Sequence, residues 1–420
     1  MRVVGDGRFQ NFAGNAGAFV VGRLGLSEQR GLFSEGGLIG WDEDVPEGVR
    51  ARNYQSQIYF EDVPIRRYVP YASGHGFPAL VFGLIDRLSP LEDRTNHRLF
   101  LWLSASFSAV VLSLFLAWTA NTFGLFSATF CLLCISMSPW IVVSAGHLYW
   151  ISGSLFIPFV VGLRLHQREK EGSRISSAIF LGVTALGVFV KCLFNGYELI
   201  TSVLVLSVIP VFFYAVLDRW QLGHLVSRFL LVSCAGLGGV LLSLGLLIFQ
   251  IDQAESMQVR GIDHIQQRFL VRTVGQEPER IDSRWEESVA ATRLEVVRTY
   301  LNAGAFFRGA RKRKVVVRFR FMIGLFVLLS PAQLLLLKDA LMKPLLVAGY
   351  LGLLSPLSWF VVFKTHSYLH VFLNSLSWYL PFMLLLYVGV GYAIRLLWGR
   401  VTGSWTRASS LYRAPATATP

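Results

Sequence analysis

Lys364-Thr-His-Ser-Tyr-Leu-His370 lies between two long apolar runs, residues 345–363 and 376–394. Each run is long enough to cross a bilayer, which takes roughly 20 apolar residues. Burying Lys364, His366 and His370 in hydrocarbon would cost on the order of several kcal/mol. This polar stretch must therefore lie at a membrane surface or line a wet cavity, where its cationic side chains form a candidate site for an anionic ligand.

The composition of the whole chain also indicates a membrane protein. Its 420 residues are 53% hydrophobic and only 15% charged, whereas soluble domains usually carry about 25% charged residues. The net charge of +13 is assigned to cytoplasmic loops and lipid contacts rather than to nucleic-acid binding, because no nucleic-acid motif accompanies it. Cys131-x-x-Cys134 lies inside an apolar run, which favours two core residues over a redox or zinc motif.

Apolar runs recur from residue 99 onward and predict an all-α polytopic membrane protein with about nine transmembrane helices. The predicted spans are 99–120, 125–144, 150–163, 175–190, 199–217, 229–249, 321–337, 345–363 and 376–394. The predicted organisation is an extracytoplasmic region over 1–98, six spans over 99–249, an extracytoplasmic loop over 250–320, three spans over 321–394, and a partly disordered cytoplasmic tail over 395–420. Residues 76–88 and 285–300 are expected to form amphipathic surface helices.

Lys and Arg residues in the short loops predict the orientation of the chain. With the C-terminus inside, twelve basic residues lie in inner segments and only Lys191 and Lys364 in outer short loops. Nine spans then place the N-terminus outside. Because residues 1–98 are polar and contain no signal peptide, we expect one further helix upstream of Met1 in the natural protein.

Three segments carry a resemblance to a known family. They are Tyr71-x-Ser73-x-x-Gly76; Ser138-Pro-Trp140 with His147-Leu-Tyr-Trp150 and Pro158; and Lys364 to His370 with Asn374 and Trp378-Tyr-Leu-Pro-Phe382. Together they resemble the C-type, membrane-embedded bacterial glycosyltransferases that use polyprenyl-phosphate sugars. Taken without the resemblance, Ser138-Pro-Trp140 and Trp150 also fit a structural role as a proline break and interfacial aromatic residues.

The resemblance implies a catalytic base near the start of the first outer loop, where Asp6 is the nearest acidic residue. It implies donor or acceptor binding by Lys364, His366, His370, Asn374, Tyr71, Ser73 and His147. General chemistry is compatible with these roles, because sugar transfer from a lipid phosphate needs a carboxylate to take the acceptor proton and cations to stabilise the departing phosphate. Other carboxylates available in the same outer region are Glu35, Asp42, Asp44, Glu61 and Asp62.

The implied function is transfer of a sugar from a polyprenyl-phosphate donor to an envelope glycan or lipid acceptor, at the outer face of a bacterial inner membrane. The implied partners are the donor, the acceptor and membrane lipids, without nucleic acid. A divalent cation is a possible cofactor. The i, i+4 spacing of His366 and His370 would suit zinc, but no third ligand is evident in the sequence and we assign no metal site.

Two other classes remain open from the sequence. A transporter or flippase of a lipid-linked glycan would need polar residues in mid-membrane, whereas the predicted spans hold mostly Ser and Thr, with their charged residues near the ends. A non-catalytic envelope assembly protein would be marked by loss of the essential carboxylate.

Overall fold

The computed structural model describes residues 7–273, 275, 283–308 and 314–402. These residues are almost entirely helical. The helices are α1 Gly7–Arg30, α2 Ala51–Phe60, α3 Phe77–Leu88, α4 Asp93–Phe123, α5 Leu125–Met137, α6 Pro139–Ala145, α7 Gly153–Lys170, α8 Ser177–Asn195, α9 Ile200–Leu217, α10 Leu222–Asp252, α11 Gly261–Thr273, α12 Ser283–Ala290, α13 Arg293–Asn302, α14 Phe319–Leu337, α15 Met342–Val362, α16 Lys364–Leu369, α17 Val371–Asn374 and α18 Phe382–Val401. Two antiparallel pairs complete the fold: β1 Gly40–Asp42 with β2 Tyr68–Pro70, and β3 Gly304–Arg308 with β4 Lys314–Arg318.

Seven helical segments of the described chain are long and apolar enough to cross a membrane. They are α4, α8, α9, α10, α14, α15 and the segment Ser375–Val401, which contains α18. The bent pair α5–α6 raises this number to at most eight. The prediction of an all-helical, multi-pass membrane protein is therefore confirmed, whereas its count of nine spans is not.

The predicted span 125–144 is interrupted in the structure. Helix α5 ends at Met137 and α6 begins at Pro139, with a bend of 74° between them. Pro139 has no backbone N–H and disfavours helical geometry at the residue before it, so Ser138 is extended and precedes a new helix instead of continuing α5. The Ser138 hydroxyl accepts from the Ile141 backbone N–H at 3.4 Å and caps α6.

Helix α7 covers the predicted span 150–163 but differs from the other spans. It extends to Lys170 and its second half carries Arg164, Arg168 and Glu169, so its apolar part is short. Its apolar side chains are nevertheless buried, with Leu155, Phe156, Phe159, Val160 and Leu163 each at most 3% exposed. Packing against α4, α8 and α9 therefore places α7 inside the bundle.

The centre of the bundle is formed by α9 and α18. In α9, 61% of the 18-residue apolar stretch is buried within the protein, and in Ser375–Val401 the buried share is 72%. In α14, at the edge of the bundle, it is only 17%. Helices α9 and α15 are joined by a reciprocal pair of hydrogen bonds, from Ser202 Oγ to Ser355 O at 2.8 Å and from Ser355 Oγ to Ser202 O at 2.9 Å. Small hydroxyl residues allow this close approach of two helices.

Most of the basic short loops meet at one end of the bundle. Lys170 bonds Asp218, Arg228 bonds Glu169, and Arg395 donates to the Phe123 carbonyl. We refer to this end as the basic end. Residues 403–420, predicted to be disordered in part, lie outside the described residues.

The two long polar regions both pack at the opposite end. The first region is attached through Gln250 of α10, whose side-chain amide donates to the Gly36 and His75 carbonyls at 3.1 Å each. Residues 76–88 form a helix as predicted, with Pro78, Ala79 and Phe82 on its buried face. The second region is attached by the Trp140 indole, which donates to the Gly304 carbonyl at 3.0 Å.

The predicted single helix over 285–300 is two helices, α12 and α13. Thr292 begins α13 with a capping box, in which its hydroxyl accepts from the Glu295 N–H and the Glu295 carboxylate accepts from the Thr292 N–H. Val296 and Tyr300 are completely buried, so α13 packs into the bundle instead of lying on its surface. The basic run that begins at Arg311 lies outside the described residues up to position 313.

Candidate functional site

The candidate site is built on the short loop that joins α8 to α9. Helix α8 stops at Asn195, and Gly196 adopts φ 55° and ψ −143°, a conformation accessible mainly to glycine. The Lys191 ammonium is buried and donates to the Gly196 carbonyl at 2.8 Å and to the Glu198 carbonyl at 2.6 Å. These bonds fix the loop and hold the Glu198 side chain in place.

Glu198 pairs with two cationic side chains from distant parts of the chain. Its Oε2 lies 2.9 Å from His366 Nε2 on α16, and its Oε1 lies 3.3 Å from Arg272 Nη2 on α11. The side chains are nearly buried, with 9% of Glu198 and 13% of each partner exposed. One carboxylate thus links the loop between two spans, a helix of the second polar region, and the segment 364–370.

The charges in this cluster keep Glu198 ionised. Burial by itself would raise the pKa of Glu198, but His366 and Arg272 outweigh burial and hold this pKa well below its usual range. Burial likewise disfavours the charged form of Arg272, yet Glu198 and the neighbouring hydroxyls of Tyr71 and Tyr149 raise the pKa of Arg272. The pair is therefore a stable ion pair at neutral pH.

His370, the residue that follows α16, extends the cluster. Its ring centroid lies 4.5 Å from that of His366, as expected for positions four apart on one helical face. Arg268, one turn before Arg272 on α11, is exposed on the same helix. The cluster therefore places one carboxylate beside one guanidinium group and two imidazoles, and its cationic donors suit an anionic group such as phosphate.

Aromatic rings from four segments lie together, and two of them, Tyr71 and Tyr149, lie near Arg272. The ring of Tyr71 stacks on Phe19 with centroids 4.8 Å apart and lies 6.4 Å from Tyr149. Trp41 lies 4.9 Å from Phe19. All four rings are partly exposed, so they form one accessible wall beside the charged cluster.

The sequence-predicted residues occupy different positions around this cluster. His366, His370 and Tyr71 belong to it or contact it. Lys364 is turned towards α12, where its Nζ donates to the Val289 carbonyl at 2.7 Å, and burial together with Arg293 lowers its pKa. Asn374 is fully buried.

Two further predicted residues shape loops at the site. His147 Nδ1 accepts from the backbone N–H groups of Tyr149 and Trp150 at 3.0 Å each, so it orders the turn that carries Tyr149. Ser73 contributes its backbone, because a Cβ at Gly196 would lie 2.8 Å from the Ser73 carbonyl oxygen. The segment Tyr71–Gly76 is thereby pressed against the Glu198 loop.

The carboxylates considered for the base are not equivalent. Asp6 lies outside the described residues. Asp42 is completely buried, and its oxygens accept from the backbone N–H groups of Asp44, Arg66 and Arg67 at 2.8–3.1 Å. Glu35 accepts from the N–H and hydroxyl of Ser256. Asp42 and Glu35 therefore have structural roles.

Glu198, Arg272 and Tyr149 are not among the site residues predicted from the sequence. Glu198 had a usable signal, because an acidic residue in the short break between two predicted spans is as conspicuous as Lys364. Arg272 had none, since it is one of several charged residues in a long polar region.

Among the described residues, one group of carboxylates could hold a cation: Glu28, Asp86 and Asp93, with ligand atoms within 4.8 Å of one another. Asp86 Oδ1 already accepts from the Tyr59 hydroxyl at 2.8 Å and the Asn96 amide at 2.7 Å. Burial and the neighbouring carboxylates raise the pKa of Glu28 to about 8. The group lies on α1, α3 and α4, which contribute no member of the Glu198 cluster.

Comparison of the chain with protein-family models, with curated proteins and with solved structures finds no match in any of the three.

Proposed function

We propose that this protein is a membrane-embedded glycosyltransferase of the C-type class, which transfers a sugar from a polyprenyl-phosphate donor to an envelope glycan or lipid acceptor. The observation that carries the proposal is the Glu198 cluster. It joins two segments that carry the motif resemblance, Tyr71–Gly76 and Lys364–His370, through Glu198 and Arg272. A cationic cluster where spans end suits a donor whose phosphate lies at the membrane surface and whose lipid tail stays in the bilayer.

The cluster supplies the electrostatic part of the proposed reaction. The acceptor oxygen attacks the anomeric carbon, the bond from that carbon to the phosphate oxygen breaks, and the electron pair leaves with the polyprenyl phosphate. Arg272, His366 and His370 stabilise the negative charge on the departing phosphate. Glu198 orients Arg272 and His366, and the aromatic wall of Tyr71 and Tyr149 flanks the sugar.

The proton of the acceptor hydroxyl requires a base. Glu198 is poorly suited, because its low pKa makes it a weak proton acceptor. We propose Asp6 as the base, with Asp44, Glu61 and Asp62 as alternatives in the same outer region.

The proposed topology has nine crossings, counting α5–α6 as one bent span and α7 as another. The N-terminal region and residues 250–320 face the outside of a bacterial inner membrane, and the basic end faces the cytoplasm. This assignment is supported by the clustering of basic short loops at one end of the bundle. Lys191, a buried cation within a span, lies in the last two turns of α8 and bonds the outer loop, which suits a site at the surface better than a transport path.

The proposal is tested by sugar transfer in proteoliposomes supplied with radiolabelled polyprenyl-phosphate sugars and a lipid-linked acceptor. We expect transfer by the wild type and loss of roughly 100-fold in Asp6→Asn, since general-base catalysis typically contributes 10²–10⁴-fold. Asp263→Asn, on an exposed side chain bonded to Arg260, is the matched control and should retain activity. Equal activity in Asp6→Asn and the control would remove Asp6 from the mechanism, and absence of transfer with every donor would contradict the proposed function.

A further inference from the structure

A groove lies between the first residue of α8 and the first four turns of α10, at the basic end and therefore at the opposite end from the Glu198 cluster. Its cavity has a volume of about 380 Å³. The polar part of its lining is formed by Ser177, His224, Ser227 and Arg228, and the apolar part by Leu230, Leu231 and Cys234. Nothing in the proposed reaction uses this groove.

The groove runs from the depth of lipid headgroups into the hydrocarbon region. Helix α10 has 31 residues, which correspond to about 46 Å at 1.5 Å per residue, whereas the hydrocarbon core is about 30 Å thick. The apolar run of this helix begins at Phe229. His224 and Ser227 therefore lie at headgroup level, and Leu230 and Cys234 lie one to two turns deeper.

The polar part of the groove attracts anions. The Arg228 guanidinium is held in place by Glu169 and by the ring of Phe180, 4.8 Å from its central carbon. His224 is exposed and rests against Trp220, with ring centroids 4.4 Å apart. Ser177 opens α8, whose N-terminus carries the positive end of the helix dipole.

Basic residues outnumber acidic ones around the groove. Arg168, Lys170, Arg174, Arg219 and Arg228 lie at this end with Glu169, Glu171 and Asp218. A free inorganic anion would leave the apolar half of the lining without a partner, whereas a phospholipid satisfies both halves.

We propose that this groove binds one anionic phospholipid, with its phosphate at His224, Ser227 and the first turn of α8, and an acyl chain along Leu230, Leu231 and Cys234. The inference does not depend on the glycosyltransferase proposal. It assigns the basic end a specific lipid site in addition to the general attraction of basic loops for anionic lipid.

Native mass spectrometry of the detergent-purified full chain tests this site, with phosphatidylglycerol and phosphatidylcholine of identical acyl chains as probes. We expect one tightly bound phosphatidylglycerol, preferred over phosphatidylcholine by about fivefold, the factor that roughly 1 kcal/mol per basic contact gives. Ser227→Trp, which fills the groove from an exposed position, should abolish the preference. Ser177→Trp blocks it from the other wall, so the test survives if one variant fails to fold.

Arg219→Gln is the matched control, because it removes a basic charge at the same end without lining the groove. This variant should keep the tightly bound lipid. If Arg219→Gln lost the bound phosphatidylglycerol as fully as both Trp variants, the lipid would be attracted by the basic end as a whole. That result would overturn the site. Displacement of the lipid by millimolar glycerol phosphate would also overturn it, because the groove would then hold a free phosphate.

Discussion

At the scale of single residues, Glu198 determines the charge of the candidate site. It is the carboxylate shared by Arg272 and His366, and all three side chains are nearly buried. Removing one partner of such a group leaves an uncompensated charge away from water, which is more costly than losing an exposed pair.

Glu198→Gln should lower the free energy of unfolding by about 3 kcal/mol at pH 7. The folded-state pKa of Glu198 is depressed. Its contribution to the free energy of unfolding is therefore fully present above the unfolded-state pKa and decreases as the pH falls towards the folded-state pKa. The difference in unfolding free energy between the wild type and Glu198→Gln should therefore be largest at neutral pH and smaller at pH 4. Denaturant unfolding in detergent micelles at both pH values measures it.

The matched control is Glu43→Gln, whose partner Arg67 is 69% exposed. This exposed pair should contribute less than about 1 kcal/mol. Similar losses in the two variants would contradict a special role for Glu198.

His75 gives a second residue-scale prediction. Its Nδ1 lies 2.8 Å from Gln250 Oε1 and its Nε2 lies 2.7 Å from Ser243 Oγ. Burial first, and the positive charge of Lys191 in addition, lower the pKa of His75 to about 4. In the unfolded state the His75 ring has a pKa of about 6.5, so it binds a proton at a higher pH than in the folded state. The free energy of unfolding should therefore fall as the pH drops from 6.5 to 4.

We expect a loss on the order of 2 kcal/mol over this range in the wild type. His75→Gln has no titrating ring, and its unfolding free energy should show a shallower pH slope below pH 6.5. An unchanged slope in this variant would show that other groups cause the acid sensitivity.

At the scale of elements, the Glu198 loop depends on the close approach of two glycines. A Cβ at Gly196 would lie 2.8 Å from the Ser73 carbonyl oxygen and 3.1 Å from the Gly74 Cα, and φ at Gly196 is positive. Gly196→Ala should therefore separate the Tyr71–Gly76 segment from the loop and destabilise the protein by about 1–3 kcal/mol.

Gly182→Ala provides the comparison, because a Cβ there meets nothing within 4 Å. It lies within α8 and should be neutral or slightly stabilising. Thermal unfolding in detergent distinguishes the two, and an equally stable Gly196→Ala would contradict the tight contact.

The elements themselves could be predicted well from the sequence, and their breaks less well. Apolar runs of about 20 residues marked α4, α8, α9, α10, α14, α15 and α18, because hydrophobic length is a local property. The proline at 139 and the Thr292 capping box also carried local signals for the breaks at α5–α6 and α12–α13. The site was less accessible, since Glu198, Arg272 and His366 are brought together only by the packing of three distant segments.

At the scale of the whole molecule, the two ends of the bundle differ in composition and structure. One end holds short loops cross-linked by basic side chains, and the other holds both long polar regions with the Glu198 cluster. Such asymmetry is typical of a protein whose ends face different compartments.

This asymmetry favours the proposed topology. Reporter fusions after Ser89 and after Arg400 should report opposite sides of the membrane, with Arg400 inside. Fusions at both positions that report the same side would contradict the proposed orientation.

The central claim is that the Glu198 cluster binds the phosphate of a lipid-linked sugar donor. Its most direct test is the affinity of purified protein for polyprenyl phosphate, measured for wild type, Arg272→Gln and Arg260→Gln. Arg260 lies just before α11 and is largely exposed, so its substitution removes an equal charge without touching the cluster. We predict that Arg272→Gln weakens binding at least about tenfold, as expected for loss of a charge-assisted contact worth 1.5–3 kcal/mol, while Arg260→Gln binds like the wild type. Equal affinities in all three proteins would contradict the claim.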